Sequence, residues 1–250
     1  MSTQVIEKEE LKEILRQLKS KKDIAKTRDQ AKVVLKRVDP KTLSLAEQEL
    51  LSEGFTQEEL RRLCDVHLEL LGKELEKGPV VEKEHPIQIL KAEHKILQEY
   101  LDRLEQLMRQ INSAKSLGEM KNGLEELKGI AGLLIETESH HKREEEALFP
   151  RLEKRGVTGP PRIMRMEHDE LRARKKALRD LAQKPTAFEF EEFKGKLKGT
   201  AQYIVSTLRG HIFKEDNILY PTAMRTLNAA EWKDVKQQFD EMGYCSFTPR

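Results

Sequence analysis

The sequence has little of what would staple, pleat or anchor a chain. Only two of its 250 residues are cysteine, Cys64 and Cys245. That excludes a disulfide scaffold and points to a reducing compartment. Aromatics make up 5%, and no stretch alternates in the way a strand requires. The most apolar stretch, Ile130 to Ile135, is far too short to span a membrane. The opening MSTQVIEKEELKEIL is acidic and helical, unlike a secretory leader. Neither sign of charge dominates: 46 Lys and Arg stand against 44 Asp and Glu, a net +2, with both signs interspersed. Without a dedicated basic arm, no nucleic-acid surface is expected. The expectation is a soluble cytoplasmic protein that engages neither nucleic acid nor membrane.

What is present favours helix. Charged residues reach 36%, and Leu, Lys and Glu recur throughout, as in long solvated amphipathic helices. The length suits one large or two modest domains with an ample core. Helical periodicity predicts segments over 5–18 and 22–38, the second stopped by Asp39-Pro40. Ser44 with Glu47, and Thr56 with Glu59, read as capping boxes. They open a short helix closed by Gly54 and a longer one to about Lys77, before Gly78-Pro79 breaks the chain. Residues 1–80 therefore form a small helical N-terminal domain. Four longer helices follow, over 86–111, 117–154, 160–183 and 186–217, joined by short loops. The fold class is all-α: an antiparallel up-down-up-down four-helix bundle over 84–226, preceded by the small helical domain. A short helix near Glu231 and an irregular tail make up 227–250.

The histidines interrupt the apolar stripes. In the first bundle helix the stripe reads Ile87, Leu90, His94, Leu97, Leu101, Leu104, Met108, Ile111, so His94 points inward. The second carries Leu127, Ile130, Leu134 and Thr137, then HHKREEEALFP. There His140 with Glu144, or His141 with Glu145, lie one turn apart. The third carries Met164, His168, Leu171 and Leu178. The fourth carries Phe190, Phe193, Leu197, Ile204 and Leu208, then His211 and Glu215 at the same spacing. A lone histidine on an apolar face is usually a hydrogen-bonded core residue. Two His-xxx-Glu pairs with two further inward histidines are another matter, because buried carboxylates need a compensating positive charge. No inward Lys or Arg is read at this level in the stripes of the first, second or fourth helix, so a metal cation is the simplest compensation. Four imidazoles and two carboxylates exceed the needs of one tetrahedral zinc, and the absence of inward thiolates disfavours an iron–sulfur cluster. Two octahedral ions bridged by carboxylates and a solvent-derived oxo or hydroxo group fit the set, with positions left for a diatomic ligand. Iron leads, with manganese or a mixed pair behind it.

The motifs AEH, HHKREEEALFP, MEHDELR and HIFKE, in that order over about 84–225, resemble the hemerythrin HHE cation-binding domain. The resemblance implies a non-haem di-iron centre ligated by His94, His140, Glu144, His168, His211 and Glu215, with Glu144 and Glu215 bridging. His141 and Glu145 remain as substitutes in the second helix, or as support from behind the ligands. Oxygen-carrying hemerythrins have a second histidine one turn after that of the third helix. Here that place is Arg172, so the set looks more like the iron-centre repair and the oxygen- or iron-sensing members. QELLSEGFTQEELRRLCDVHLELLGKELE resembles the domain of unknown function that often precedes hemerythrin-like domains in bacteria and archaea. The tail GYCSFTP also resembles those proteins, where a sensory PAS domain often follows. This chain ends at Arg250, so it is expected to act alone or through a protein partner, engaged by the N-terminal domain.

Lesser candidates surround this set. Cys64 with His67, and Cys245, form a redox pair or labile metal site if the tail folds back, and are otherwise small buried hydrophobes. His85 reads as a helix cap or surface residue. Tyr100 and Tyr203 either hydrogen-bond near the centre or simply pack. Three functions stay open. The first is a di-iron protein that responds to oxygen, nitric oxide or redox state, or that supplies iron for iron–sulfur repair. The second is a di-iron oxidase or peroxidase-type enzyme, for which no substrate-shaped feature is evident. The third is an interaction module with a structural metal.

Overall fold

A computed structural model describes residues 3–20, 33–34, 42, 46, 49–50, 52–56 and 82–249. Apart from residues 33–34 and 56, the helices read over 22–38 and 56–77 lie outside the described residues, as does the Cys64–His67 pair. Among the described residues there is no strand, and no helix is long and apolar enough to cross a membrane. The chain divides into two compact units. One comprises Met1–Val80, Phe149–Met164 and Lys214–Asn228; the other comprises Val81–Leu148, Arg165–Phe213 and Ala229–Arg250.

In the first unit, α1 (Thr3–Ser20) buries Leu11 and Ile14 and carries a charged clasp. Lys12 lies 2.7 Å from Glu49 and 2.8 Å from Glu53, while Lys8 and Arg16 meet the same two acids from either side. The turn after Glu53 depends on Gly54, whose φ of +94° few side-chain-bearing residues tolerate; it lets Phe55 N donate to the Leu50 carbonyl at 3.0 Å.

The body of the second unit is an antiparallel up-down-up-down four-helix bundle. Its first helix is α2 (Pro86–Ser113). The second comprises α3 (Lys121–Glu136), α4 (Glu138–Arg143) and a π turn over Glu144–Leu148, and its chain continues into α5 (Phe149–Lys154). The third is α6 (Gly159–Gln183). The fourth is α7 (Phe190–Lys214), whose chain passes through a π turn over Glu215–Leu219 into α8 (Tyr220–Thr226). The last helix is α9 (Ala229–Met242). The stripes read from sequence pack as a core of Leu97, Leu101, Leu104, Leu127, Leu134, Leu171, Leu178, Phe193, Leu197 and Ile204, all buried. Met108 is an exception: it is partly buried at the edge, and Leu107 fills the core place beside it. Each fully buried leucine contributes roughly 1.5–3 kcal/mol.

Two breaks in the second and fourth helices were not legible as such. Both π turns begin on a glutamate and are followed by an aromatic residue and proline, Phe149-Pro150 and Tyr220-Pro221. Proline has no N–H and its ring crowds the carbonyl four residues back, so the ladder there shifts to wider bonds. Tyr220 N indeed donates to the Glu215 carbonyl, five residues back.

Candidate metal centre

In an antiparallel bundle the starts of the first and third helices lie at the same end as the finishes of the second and fourth. His94 and His168 come early in α2 and α6, and His140 and His211 come late in α4 and α7. Topology alone therefore brings all four to one level. All four are buried, as are His141 and Glu144.

The rings meet in pairs. His94 Nε2 lies 3.3 Å from His140 Nε2, and His168 Nε2 lies 2.9 Å from His211 Nε2. Glu144 Oε2 stands 3.6 Å from His140 Nε2 and 3.5 Å from His168 Nε2, between the two pairs. Behind the rings, carboxylates hold the outer nitrogens. Glu93 takes His140 Nδ1 at 2.6 Å, Glu145 takes His168 Nδ1 at 2.6 Å, and Glu167 takes His211 Nδ1 at 2.8 Å. A carboxylate only accepts, so each Nδ1 carries the proton and each Nε2 of a neutral ring is a lone pair. Two lone pairs at 2.9 Å repel unless a proton or a metal ion lies between them. Imidazole nitrogen and carboxylate oxygen without thiolate is the donor set that iron or manganese accepts. These residues fit a metal, and the carboxylates behind them are the outer support that metal-binding histidines commonly have.

Glu215 stands four residues beyond His211, where the fourth helix enters its π turn, and it is fully buried. Glu145, adjacent to Glu144, faces outward instead, holding His168 and taking Arg172 at 2.9 Å. Arg172 also reaches Glu138 at 2.9 Å and Asp169 at 2.7 Å. Burial pushes the Glu145 carboxyl up, but hydrogen bonds from His168 and Arg172 outweigh this and hold it below its usual value. His141 lies flat against His168, ring centroids 3.9 Å apart and planes 8° from parallel. Burial above all, with the nearby charge of Lys175, holds the His141 ring well below its usual basicity.

One reading needs correction. The second helix does carry an inward cation at this level: Arg143 is fully buried. Within the charged run HHKREEE it passes for a surface residue, yet it lies three residues from His140 and turns with it toward α2. Its partner is Glu93, at 2.7 and 2.8 Å, rather than Glu144. Phe239 and Tyr244 lie against its guanidinium, at 5.3 and 5.0 Å. Glu93 also accepts from Thr248 at 2.5 Å, so the tail closes over this corner. Burial raises the Glu93 carboxyl; His140, Arg143 and Thr248 more than offset that, and it sits at about 2.

Glu93 and Glu167 were missed as functional groups. The signal was present: each directly precedes a ligand-candidate histidine, in AEH and MEH, and each serves the histidine of the following helix. His85 caps α2, its Nδ1 accepting from Ile87 N at 3.2 Å, and leans on Trp232. Tyr203 donates to Glu170 at 2.5 Å and Tyr100 packs edge-on against Phe247, so these two hydroxyl-bearing rings serve packing and the surface. Cys245 is buried, its Sγ donating to the Glu136 carbonyl at 3.5 Å. Burial and the Glu93 charge push its thiol up to about 11 from 9.0. Alkylation of Cys245 at mildly alkaline pH should therefore run about a hundredfold slower in the folded than in the unfolded chain, since only thiolate reacts. Peptide mapping by mass spectrometry would read this, and equal rates would show that the tail is open.

The Hemerythrin HHE cation binding domain family matches residues 85–223, more than half of the chain. The Family of unknown function (DUF438) matches residues 11–77. None of the curated proteins matches the chain. With its imidazoles and carboxylates gathered at one end of such a bundle, the chain belongs to the hemerythrin HHE cation-binding family.

Proposed function

We propose that the chain is a non-haem di-iron protein that responds to oxygen, nitric oxide or redox state, or that hands iron to iron–sulfur centres under repair. The ligands are His94, His140, Glu144, His168, His211 and Glu215, with Glu145 holding His168 from behind. The carrying observation is the pair of facing Nε2 contacts with buried Glu144 between them. Bound there, two irons supply one-electron changes of state and positions for a diatomic ligand. The chain's own part is to hold the imidazoles of His140, His168 and His211 as neutral donors, through the acids behind them, and to keep bulk water out. The bundle over 84–226 is the responding domain and 227–250 its closing segment. The helical domain over 1–80 is where a protein partner engages.

Metal analysis of anaerobically purified protein, with optical spectra before and after air, tests this. About two irons per chain, with near-ultraviolet bands of an oxo-bridged pair appearing on oxidation, is the expected result. A single zinc, or no metal and no uptake of iron by the folded protein, would sink it. Sustained turnover with peroxide would move the reading to an enzyme.

A further inference from the structure

Resting on the di-iron reading, we infer that the carboxy-terminal strap over 243–249 is coupled to one half of the centre, the half that His94 and His140 hold, so that iron occupancy and strap docking favour each other. The link is a chain of three groups. Thr248 Oγ1 donates to Glu93 Oε1 at 2.5 Å, and the other oxygen of that carboxylate takes His140 Nδ1 at 2.6 Å. Arg143 spans both oxygens at 2.7 and 2.8 Å. The strap is also hooked to the junction of α3 and α4, just before His140. Ser139 Oγ donates to the Gly243 carbonyl at 3.4 Å, Cys245 Sγ to the Glu136 carbonyl at 3.5 Å, and Ser246 Oγ to the Glu136 carboxylate. Phe247 packs edge-on against Tyr100 of α2. The strap thus joins the two helices that carry His94 and His140. The other half is built differently: Glu145, behind His168, is gripped by Arg172 of α6.

Docking of the strap fixes Glu93, and a fixed Glu93 holds the His140 ring in the tilt and tautomer that a metal ligand needs. The strap has no helix of its own. A few contacts therefore set its docking, and the loss of one matters on that scale. Linkage makes the effect reciprocal: whatever factor docking adds to iron affinity, iron adds to docking.

Hydrogen–deuterium exchange of the strap, read by mass spectrometry on the anaerobic full chain with and without iron(II), tests the coupling. Exchange should slow about fivefold on loading, at the low end of typical couplings. Thr248→Val keeps the shape of the side chain and removes its donor. This variant should bind one of the two irons about fivefold more weakly, alter one of the two Mössbauer signals, and lose the iron-dependent slowing. Thr248→Ser, which restores the hydroxyl, should match the wild type in all three. A wild type that takes two irons while its strap exchanges alike in both states overturns the coupling and leaves the di-iron reading standing. Undiminished slowing in Thr248→Val removes the hydroxyl as the link and also overturns the coupling. A wild type that takes no pair of irons overturns both.

Discussion

Replacing Glu93 with alanine is expected to destabilise the bundle by about 3–5 kcal/mol, because it strands a buried cation. Arg143 and Glu93 are both fully buried and meet at 2.7 Å. Neither can reach water without opening the contact of α2 with the second helix and the tail. The Ser139 carbonyl, at 3.1 Å from Arg143 Nε, and the rings of Phe239 and Tyr244 remain, but none carries a full negative charge. For a chain of this size the loss corresponds to a melting temperature lower by roughly 6–20 °C. Circular dichroism melts of the iron-free protein would measure it. Thr248→Ala removes a single donor from the same carboxylate and should cost about 1 kcal/mol. If Glu93→Ala cost no more than Thr248→Ala, the pair would not be the anchor its burial implies.

Iron(II) should stabilise the wild type and leave Glu144→Gln unmoved. Ligand binding to the folded state alone adds about 2.7 kcal/mol at a hundredfold excess over the dissociation constant. In the wild type this raises the melting temperature by roughly 5–11 °C. The amide substitution keeps the shape of the Glu144 side chain but removes the charge that stands within 3.6 Å of a ring from each imidazole pair. On the proposed di-iron reading the site then loses the central counter-charge of two dications, and the amide cannot bridge them as a carboxylate does. Paired anaerobic melts with and without iron(II) decide the matter. An iron-induced rise in Glu144→Gln equal to that of the wild type would remove Glu144 from the ligands.

The bundle was legible because its signals are local and repeated. Leu90, Leu97, Leu101 and Leu104 fix one face of α2, and the chain reversals at Ala114 and Lys184 fix the topology. His94, His168 and His211 were legible because an imidazole in an apolar stripe has to face inward. The group behind them was not. Glu93 and Arg143 sit 50 residues apart and look like solvated charges; only tertiary pairing makes their burial tolerable. The choice between Glu144 and Glu145 depended on the π turn, which shifts side-chain direction in a way that a constant helical period does not register. Arg172 read only as a missing histidine. Its place at the rim, clamping Glu138 and Glu145, follows from its length and fork, which let it reach acids that an imidazole at the same position would not.

A π turn contains one residue more than the α-helical turn it replaces. The backbone therefore stores a surplus residue beside Glu144 and another beside Glu215. Moving such a surplus along the helix by one position rotates each side chain it passes by roughly 100° and leaves the helix on either side in register. In mechanical terms these two stretches are winding slack in otherwise stiff rods. Among the described residues, the slack lies at the two glutamates and nowhere else. A carboxylate on such a stretch can be re-aimed while the leucine core behind it stays packed.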